Sequence, residues 1–207
     1  MICRWRYGVK AAYYIDGVLC SSSFNIMIIL YNRVLINVEK MNKKEMEGSM
    51  RRIRLRVAYD GTNYSGWQIQ PVAVTIEKVL DEAIYELTGE NIHVIGASRT
   101  DAGVHAMGNV AVFDTDSTIP ADRFSYALNR YLPDDVIIQK SDEVAADFHP
   151  RHCDTKKTYC YRILNTQFGI PQKRNYTWNV AGNIDIEKMK TAAQYLIGEH
   201  DFKASAV

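Results

Sequence analysis

Residues 96–108, with the sequence GASRTDAGVHAMG, contain the side chains best suited to chemistry. A cation, a hydroxyl and a carboxylate follow one another at Arg99, Thr100 and Asp101, and three glycines surround them. Three glycines would cost a helix about 3 kcal/mol of propensity, so the stretch is predicted to be a loop. Glycine also lets the backbone approach another group closely. We therefore expect this loop to lie against a ligand.

Arg99 and Asp101 have two chemical interpretations. In extended backbone, alternate side chains point to the same side, which would put the guanidinium beside the carboxylate. The cation favours the ionised carboxylate, which can attack an electrophilic carbon and form a covalent intermediate. The same two residues could instead make a structural ion pair within a turn. His105 is also open to two interpretations, as a general acid or as a hydrogen-bonding residue of the loop.

The surrounding sequence predicts a β-α-β-β-α-β order of elements from residue 52 to residue 141. The first strand is identified by strict alternation, the first helix by Thr75 and Gly89 at its ends, and the second helix by Pro120 and Asp122. The predicted strands are 52–59, 91–97, 109–115 and 136–140, and the predicted helices begin at 75 and 120. This is an α+β, ferredoxin-like arrangement with both helices on one face of an antiparallel sheet. The other face is expected to be open to a ligand such as RNA.

The pattern begins again after this region. A strand is predicted at 157–164 and an amphipathic helix at 184–199. In the earlier helix that begins at 120, the predicted buried face consists of Phe124, Ala127, Leu128 and Tyr131. Together these features predict an N-terminal extension at 1–50, a ferredoxin-like domain at 51–145, and the beginning of a second, incomplete ferredoxin-like domain at 146–207. Half a sheet would leave an unpaired edge and an uncovered helix face.

The net charge of +1 does not identify a binder of polyanions, so such a partner would need a local basic surface. Candidate surfaces are the first strand and the region 149–176, where tyrosines alternate with basic residues. This combination suits unpaired RNA, although it also fits a solvated strand face. The predicted RNA-binding residues are Arg52, Arg54, Arg56, Lys156, Lys157 and Arg162.

Several classes of protein are disfavoured by the composition. The four cysteines are scattered, which is typical of reduced thiols in a cytoplasmic protein. The five histidines have no metal-ligand spacing, so no metal site is predicted. The apolar run 24–31 is shorter than the roughly 20 residues of a membrane span, so no membrane association is predicted.

The stretch GASRTDAGVHAMGNVAVFDT resembles the catalytic motif of the TruA family of tRNA pseudouridine synthases. Supporting stretches occur in the family's order: RVAYDGTNYSGWQIQP, NRYLPDDV, ADFHPRHCDTKKTYCYRI and LIGEHDF. The resemblance implies two ferredoxin-like halves with an active site in the cleft between them. It also implies a homodimer that isomerises uridines at tRNA positions 38 to 40, in the anticodon arm, without a cofactor or metal.

By position, the resemblance makes Asp101 the nucleophile and Arg99 the residue that pairs with it and displaces the target base. It makes Tyr159 the tyrosine that packs against the uracil ring. Whether the carboxylate attacks the ribose C1′ or the ring C6 stays open. Because family members continue beyond LIGEHDF, this sequence is expected to be C-terminally truncated, and a catalytically inactive RNA-binding fragment is the alternative. A hydrolase acting on a glycosidic bond is a third interpretation.

Overall fold

The computed structural model describes residues 50–201 and, before them, the backbone of 2–5, 9–12 and 33–34. The chain divides into two compact units. The central unit is Leu35–Cys153, and the terminal unit combines Met1–Val34 with Asp154–Val207. The domain boundaries predicted at 50 and 145 stay predictions.

The elements follow one another in a mixed α and β order. The strands are β1 (Ile2–Trp5), β2 (Val9–Ala12), β3 (Arg33–Val34), β4 (Arg51–Tyr59), β5 (Ile95–Gly96), β6 (Ala106–Thr115), β7 (Val136–Val144), β8 (Thr155–Lys157), β9 (Ile163–Leu164), β10 (Trp178–Asn179) and β11 (Gly198–Glu199). The α-helices are α1 (Ile76–Thr88), α2 (Phe124–Leu128) and α3 (Ile186–Gln194). Short 3-10 turns cover Gly61–Asn63, Ala121–Arg123 and Pro171–Lys173.

The central unit contains an antiparallel sheet in the order β5-β6-β4-β7. Strand β4 lies in the middle, with Leu55 opposite Ala111 of β6 and Ser141 of β7. Along the chain the elements run β4-α1-β5-β6-α2-β7. The mixed α and β fold with an antiparallel sheet, predicted from the sequence, is confirmed.

One face of this sheet forms the core. The alternation in β4 buries Ile53, Leu55 and Val57 completely, and helices α1 and α2 cover them with side chains such as Leu80 and Phe124. Burial of each such side chain away from water contributes about 1.5–3 kcal/mol to the free energy of folding. The helices therefore hold β4 in the centre of the sheet.

Helix α1 agrees with the sequence prediction more closely than helix α2 does. Helix α1 is confirmed with both ends, since Thr75 accepts a hydrogen bond from the Lys78 N–H and Gly89 has a left-handed φ of 74°. Helix α2 has only five residues, and Tyr131, predicted on its buried face, is 49% exposed. The chain after α2 tightens because the Tyr131 N–H donates to the Leu128 carbonyl, three residues back. This turn buries Leu132 in place of Tyr131.

The strand predicted at 91–97 is also shorter in the structure, where only Ile95 and Gly96 form β5. The Asp81 carboxylate of α1 explains the difference, because it accepts a hydrogen bond from the Val94 N–H at 2.9 Å and lies 2.8 Å from the His93 ring. Segment 91–94 is thus held by a helix side chain. Strand β6, in contrast, begins at Ala106, three residues earlier than predicted.

The second face of the sheet was predicted to be open to a ligand, but it is partly covered. The connector 145–153 lies across part of it, with the Phe148 ring 5.7 Å from the Arg54 guanidinium and the Phe148 carbonyl 2.9 Å from Arg52. Val110 and Val112 on this face are buried. The prediction failed because period-two alternation shows which side chains share a face and does not show which later segment covers that face.

In the terminal unit, the strands are ordered β11-β1-β2-β8-β3, and β9 pairs with β10. The strand predicted at 157–164 is wrong in its middle, since only its two ends form β8 and β9. Helix α3 is shorter than the predicted 184–199 and buries none of its side chains.

Replacing Asp81 with Asn should lower the pKa of His93. The hydrogen bond to Asp81 raises the pKa of His93 above its ordinary 6.5, while burial raises the pKa of Asp81 itself. Because the pKa of His93 is raised on folding, the stabilisation of the fold by the His93–Asp81 pair is complete below pH 6.5. It is lost as the pH rises through the folded-state pKa of His93. An NMR titration of the imidazole signals measures this. The other histidines serve as internal controls, and an unchanged His93 pKa in Asp81→Asn would contradict the pairing.

Candidate active site

Residues 97–105 connect β5 to β6 and are called the Asp101 loop below. Its first part is anchored on the sheet, because the Ala97 N–H donates to the Val110 carbonyl at 2.7 Å. The buried Asn109 side chain donates to the Ser98 carbonyl at 3.0 Å. The predicted loop is therefore confirmed, and its base is rigid.

The middle of the Asp101 loop is bound to residues 60–67, called the 60–67 segment. The Trp67 N–H donates to the Thr100 carbonyl at 3.0 Å, and the Gly103 N–H donates to the Tyr64 carbonyl at 3.1 Å. The Thr100 hydroxyl also lies 2.9 Å from the Tyr59 hydroxyl at the end of β4. These bonds fix the backbone on both sides of Asp101.

Two glycines permit this close contact. Gly66 has a φ of 90°, and a Cβ at this position would lie 2.5 Å from the Thr100 carbonyl oxygen. A Cβ at Gly96 would lie 2.4 Å from the Trp67 ring. The glycine at 96 was expected to allow approach to a ligand, but it allows approach to a buried tryptophan of the same chain.

Asp101 and Arg99 both lie exposed in the loop. The Val104 N–H donates to the Asp101 carbonyl at 3.2 Å, so a turn follows directly after the carboxylate. Within residues 50–201, neither side chain makes an ion pair closer than 4.0 Å. Pairing of Arg99 with Asp101 stays a prediction, and both groups are placed where a substrate could reach them.

His105 ends the loop and faces the 60–67 segment. Its Nδ1 lies 2.9 Å from an Asp60 carboxylate oxygen and 3.2 Å from the Gly61 nitrogen. The ring is about one third exposed. This geometry favours the interpretation of His105 as a hydrogen-bonding residue that closes the loop.

The row of arginines on β4 has partners inside the protein. Arg52 binds the two carboxylate oxygens of Asp114 at 2.7 and 2.6 Å, and this hydrogen bonding raises the pKa of Arg52. Arg54 binds Asp142 in the same forked manner. Gly108 packs closely against the Arg56 side chain. A phosphate would have to compete with these contacts, so RNA binding by the row stays a prediction.

The remaining predicted site residues belong to the terminal unit. Tyr159 is half-buried and lies between β8 and β9, outside any strand. Lys156 and Lys157 are in β8, and Arg162 is exposed just before β9. Their roles stay predictions.

No role in the site was predicted for the 60–67 segment, although it lies within the family-like stretch RVAYDGTNYSGWQIQP. Besides Gly66 and Trp67, the segment includes Tyr64, whose hydroxyl donates to the Asp135 carboxylate. The available signal was the occurrence of two glycines and two aromatic residues in a short turn. Burial and the bond to Asp135 raise the pKa of Tyr64, so it stays a neutral hydrogen-bond donor.

Within residues 50–201 no three histidine, cysteine or carboxylate side chains are grouped so as to hold a metal ion. The described helices also include none with the length and apolar character needed to cross a bilayer. The described site presents an exposed carboxylate, an exposed guanidinium and the fixed loop that carries them.

Residues 56–152, which include the whole Asp101 loop and the 60–67 segment, match the family model described as tRNA pseudouridine synthase. The chain is 51% identical over 155 residues to tRNA pseudouridine synthase A of Thermoanaerobacter sp. (strain X514) and 53% identical over 155 residues to that of Acetivibrio thermocellus. Each alignment covers 75% of this chain and 64% of the relative. The chain thus spans slightly less than two thirds of the length of these curated relatives. On these matches, the chain is similar to the tRNA pseudouridine synthases of the TruA family.

Proposed function

We propose that this chain isomerises uridine to pseudouridine in tRNA, with Asp101 as the nucleophile. The observation that carries the proposal is an exposed carboxylate on a loop whose backbone is fixed on both sides, at Thr100 and Gly103. The printed names of the relatives support tRNA as the substrate. Positions 38 to 40 of the anticodon arm are the proposed targets.

The proposed reaction exchanges one glycosidic bond for another. The Asp101 carboxylate bonds to the nucleotide, at C1′ or at C6, and the N1–C1′ bond breaks. The uracil rotates, C5 bonds to C1′, and the bond to Asp101 breaks, which restores the free carboxylate. The C5 proton leaves to solvent and N1 gains a proton, so the atoms balance. A carboxylate serves this sugar–base bond much as it serves glycosides. A loop held in place increases the rate of the reaction, because the attacking oxygen is positioned before the substrate arrives.

The proposed roles of the other site residues follow the same reaction. The uridine must leave its stack at a cost of a few kcal/mol, and Arg99 and Tyr159 would offset that cost by occupying its place and packing on the ring. Lys156, Lys157 and Arg162 would contact phosphates. Arg52 and Arg54 would do so only by exchanging their carboxylate partners for a phosphate.

The finer architecture is part of the same proposal. The sheet order β5-β6-β4-β7 and the element order β4-α1-β5-β6-α2-β7 support a ferredoxin-like central unit. A homodimer in the cytoplasm, working without cofactor or metal, completes the proposal.

The substitution Asp101→Asn should abolish isomerisation while RNA binding survives. Asn keeps the size of the side chain but lacks the nucleophilic charge, so a loss of roughly 10³-fold or more is expected. Tritium release from tRNA labelled at C5 of uridine measures the reaction. The exposed Asp116, at the end of β6, provides the matched control Asp116→Asn, which should keep full activity.

Retained tritium release by Asp101→Asn would overturn the nucleophile assignment. Free uracil among the products of the unmodified chain would show hydrolysis instead of isomerisation. RNA binding without tritium release by the unmodified chain would identify a non-catalytic RNA-binding protein. Chromatography of the products separates isomerisation from hydrolysis, and an RNA-binding measurement identifies the third outcome.

The substitution Gly66→Ala should lower kcat by roughly 10²-fold, because its Cβ would push the Thr100 carbonyl and displace Asp101. The matched control is Gly89→Ala at the end of α1, where φ is 74° and nothing lies within 4 Å of the added Cβ. Both substitutions should cost about 1–2 kcal/mol of stability from the left-handed backbone. Steady-state kinetics below both melting temperatures, together with urea unfolding, separate the two effects. Equal kcat values for the two variants would show that the contact at Gly66 does not set the loop position.

A further inference from the structure

The central unit has a surface of exposed aromatic and basic side chains that the proposed reaction does not use. It consists of Arg123, Tyr126, Arg130 and Tyr131, on α2 and the turns beside it, and is called the α2 surface. Tyr126 is 70% exposed and Tyr131 is 49% exposed. Within residues 50–153 the structure has three exposed aromatic side chains, and the third, Tyr85, lies elsewhere on α1. Exposed aromatic rings are therefore concentrated here.

The basic and aromatic groups of this surface already contact each other. The Arg123 guanidinium carbon lies 5.7 Å from the centre of the Tyr126 ring, within the range of a cation–π interaction. Arg123 also lies 3.7 Å from Asp122, but both side chains are mostly exposed, and such ion pairs contribute little. Arg130 is exposed, and the exposed Asp134 follows it in the turn. Because carboxylates accompany the arginines, stacking is a stronger basis for binding here than charge.

The C-terminal end of the α2 surface adjoins the Asp101 loop. Tyr131 is four residues before Asp135, so their Cα atoms are at most about 14 Å apart. The Asp135 carbonyl accepts a hydrogen bond from the Asp60 N–H at 2.9 Å, and its carboxylate accepts one from the Tyr64 hydroxyl. Tyr64 in turn accepts the Gly103 N–H of the loop. The turn after Tyr131 is thus connected to the loop through Asp60 and Tyr64, at the end of the sheet where β4 ends and β6 and β7 begin.

The turn that presents Tyr131 is rigid. The Tyr131 and Leu132 N–H groups both donate to the Leu128 carbonyl, at 2.9 and 3.1 Å, and the Leu132 side chain is buried. The Val136 N–H closes the following turn on Pro133 at 3.0 Å. A ring held on a fixed backbone loses little freedom when a ligand binds, which favours affinity.

We propose that the α2 surface binds unpaired nucleotides of the substrate RNA that flank the target uridine. This inference rests on the proposed function, because an RNA that delivers a base to Asp101 must continue past the same end of the sheet. Bases would stack on Tyr131 and Tyr126, and Arg123 and Arg130 would contact the phosphates between them. Stacking of this kind is tolerant of sequence because every base has a π face.

The test is fluorescence anisotropy of a fluorescein-labelled anticodon stem-loop RNA with the 207-residue chain. Tyr131→Leu and Tyr126→Leu should each raise Kd by about 5- to 150-fold, the equivalent of one lost base stack. Arg130→Gln should reduce the slope of log Kd against log salt by about 0.7, the value for one phosphate contact on a single strand. Tyr85→Leu is the matched control, since Tyr85 is 50% exposed but lies among Asp81, Glu82 and Glu86. Its Kd should stay within twofold of the unmodified chain.

Kd values for Tyr126→Leu and Tyr131→Leu equal to that of Tyr85→Leu would overturn the inference and leave the proposed function standing. Dissociation of an oligomer by these variants in sedimentation velocity, with RNA affinity unchanged, would assign the surface to self-association and also overturn it. An unmodified chain that does not bind the stem-loop would overturn both the inference and the proposed function. Thermal unfolding of each variant verifies that the fold is intact.

Discussion

Two backbone hydrogen bonds between the 60–67 segment and the Asp101 loop determine the geometry of the site. They run from the Trp67 N–H to Thr100 and from the Gly103 N–H to Tyr64. The 60–67 segment is fixed in its turn by α1, whose first N–H groups, at Ile76 and Glu77, donate to the Gly66 and Trp67 carbonyls. The first N–H groups of a helix need partners outside the helix, and here the segment supplies them. The position of Asp101 is thus set by the beginning of α1 through one intervening segment.

This arrangement separates the roles of backbone and side chain in the loop. The backbone on both sides of Asp101 is hydrogen-bonded, whereas the Arg99 and Asp101 side chains lie exposed. Reactive groups gain most when the supporting shell is rigid and the groups themselves stay accessible. The buried Trp67, packed on Gly96, supports the base of the loop from the core side. The position of Asp101 therefore depends on buried residues as well as on the loop itself.

The sequence predicted those parts of the fold that depend on local rules. Alternation in β4 and the capping residues Thr75 and Gly89 need only neighbouring positions, and the structure agrees with each of them. The candidate loop was found for the same reason, since glycine content excludes a helix. The bonds from Trp67 to Thr100 and from Asp81 to Val94 join distant positions, and no periodic pattern encodes them. The cover of the second sheet face by Phe148 was missed for the same reason.

The arginines of β4 show how the fold changes the meaning of a charge pattern. In the sequence, Arg52 and Arg54 form part of a basic row, but in the sheet each faces a carboxylate across the ladder, Asp114 on β6 and Asp142 on β7. Forked, half-buried pairs of this kind are stronger than exposed ion pairs, so a phosphate gains little by displacing one carboxylate. This pairing agrees with a net charge of only +1. Under the proposed function, affinity for RNA would then depend more on exposed aromatic rings such as Tyr126 and Tyr131 of the α2 surface.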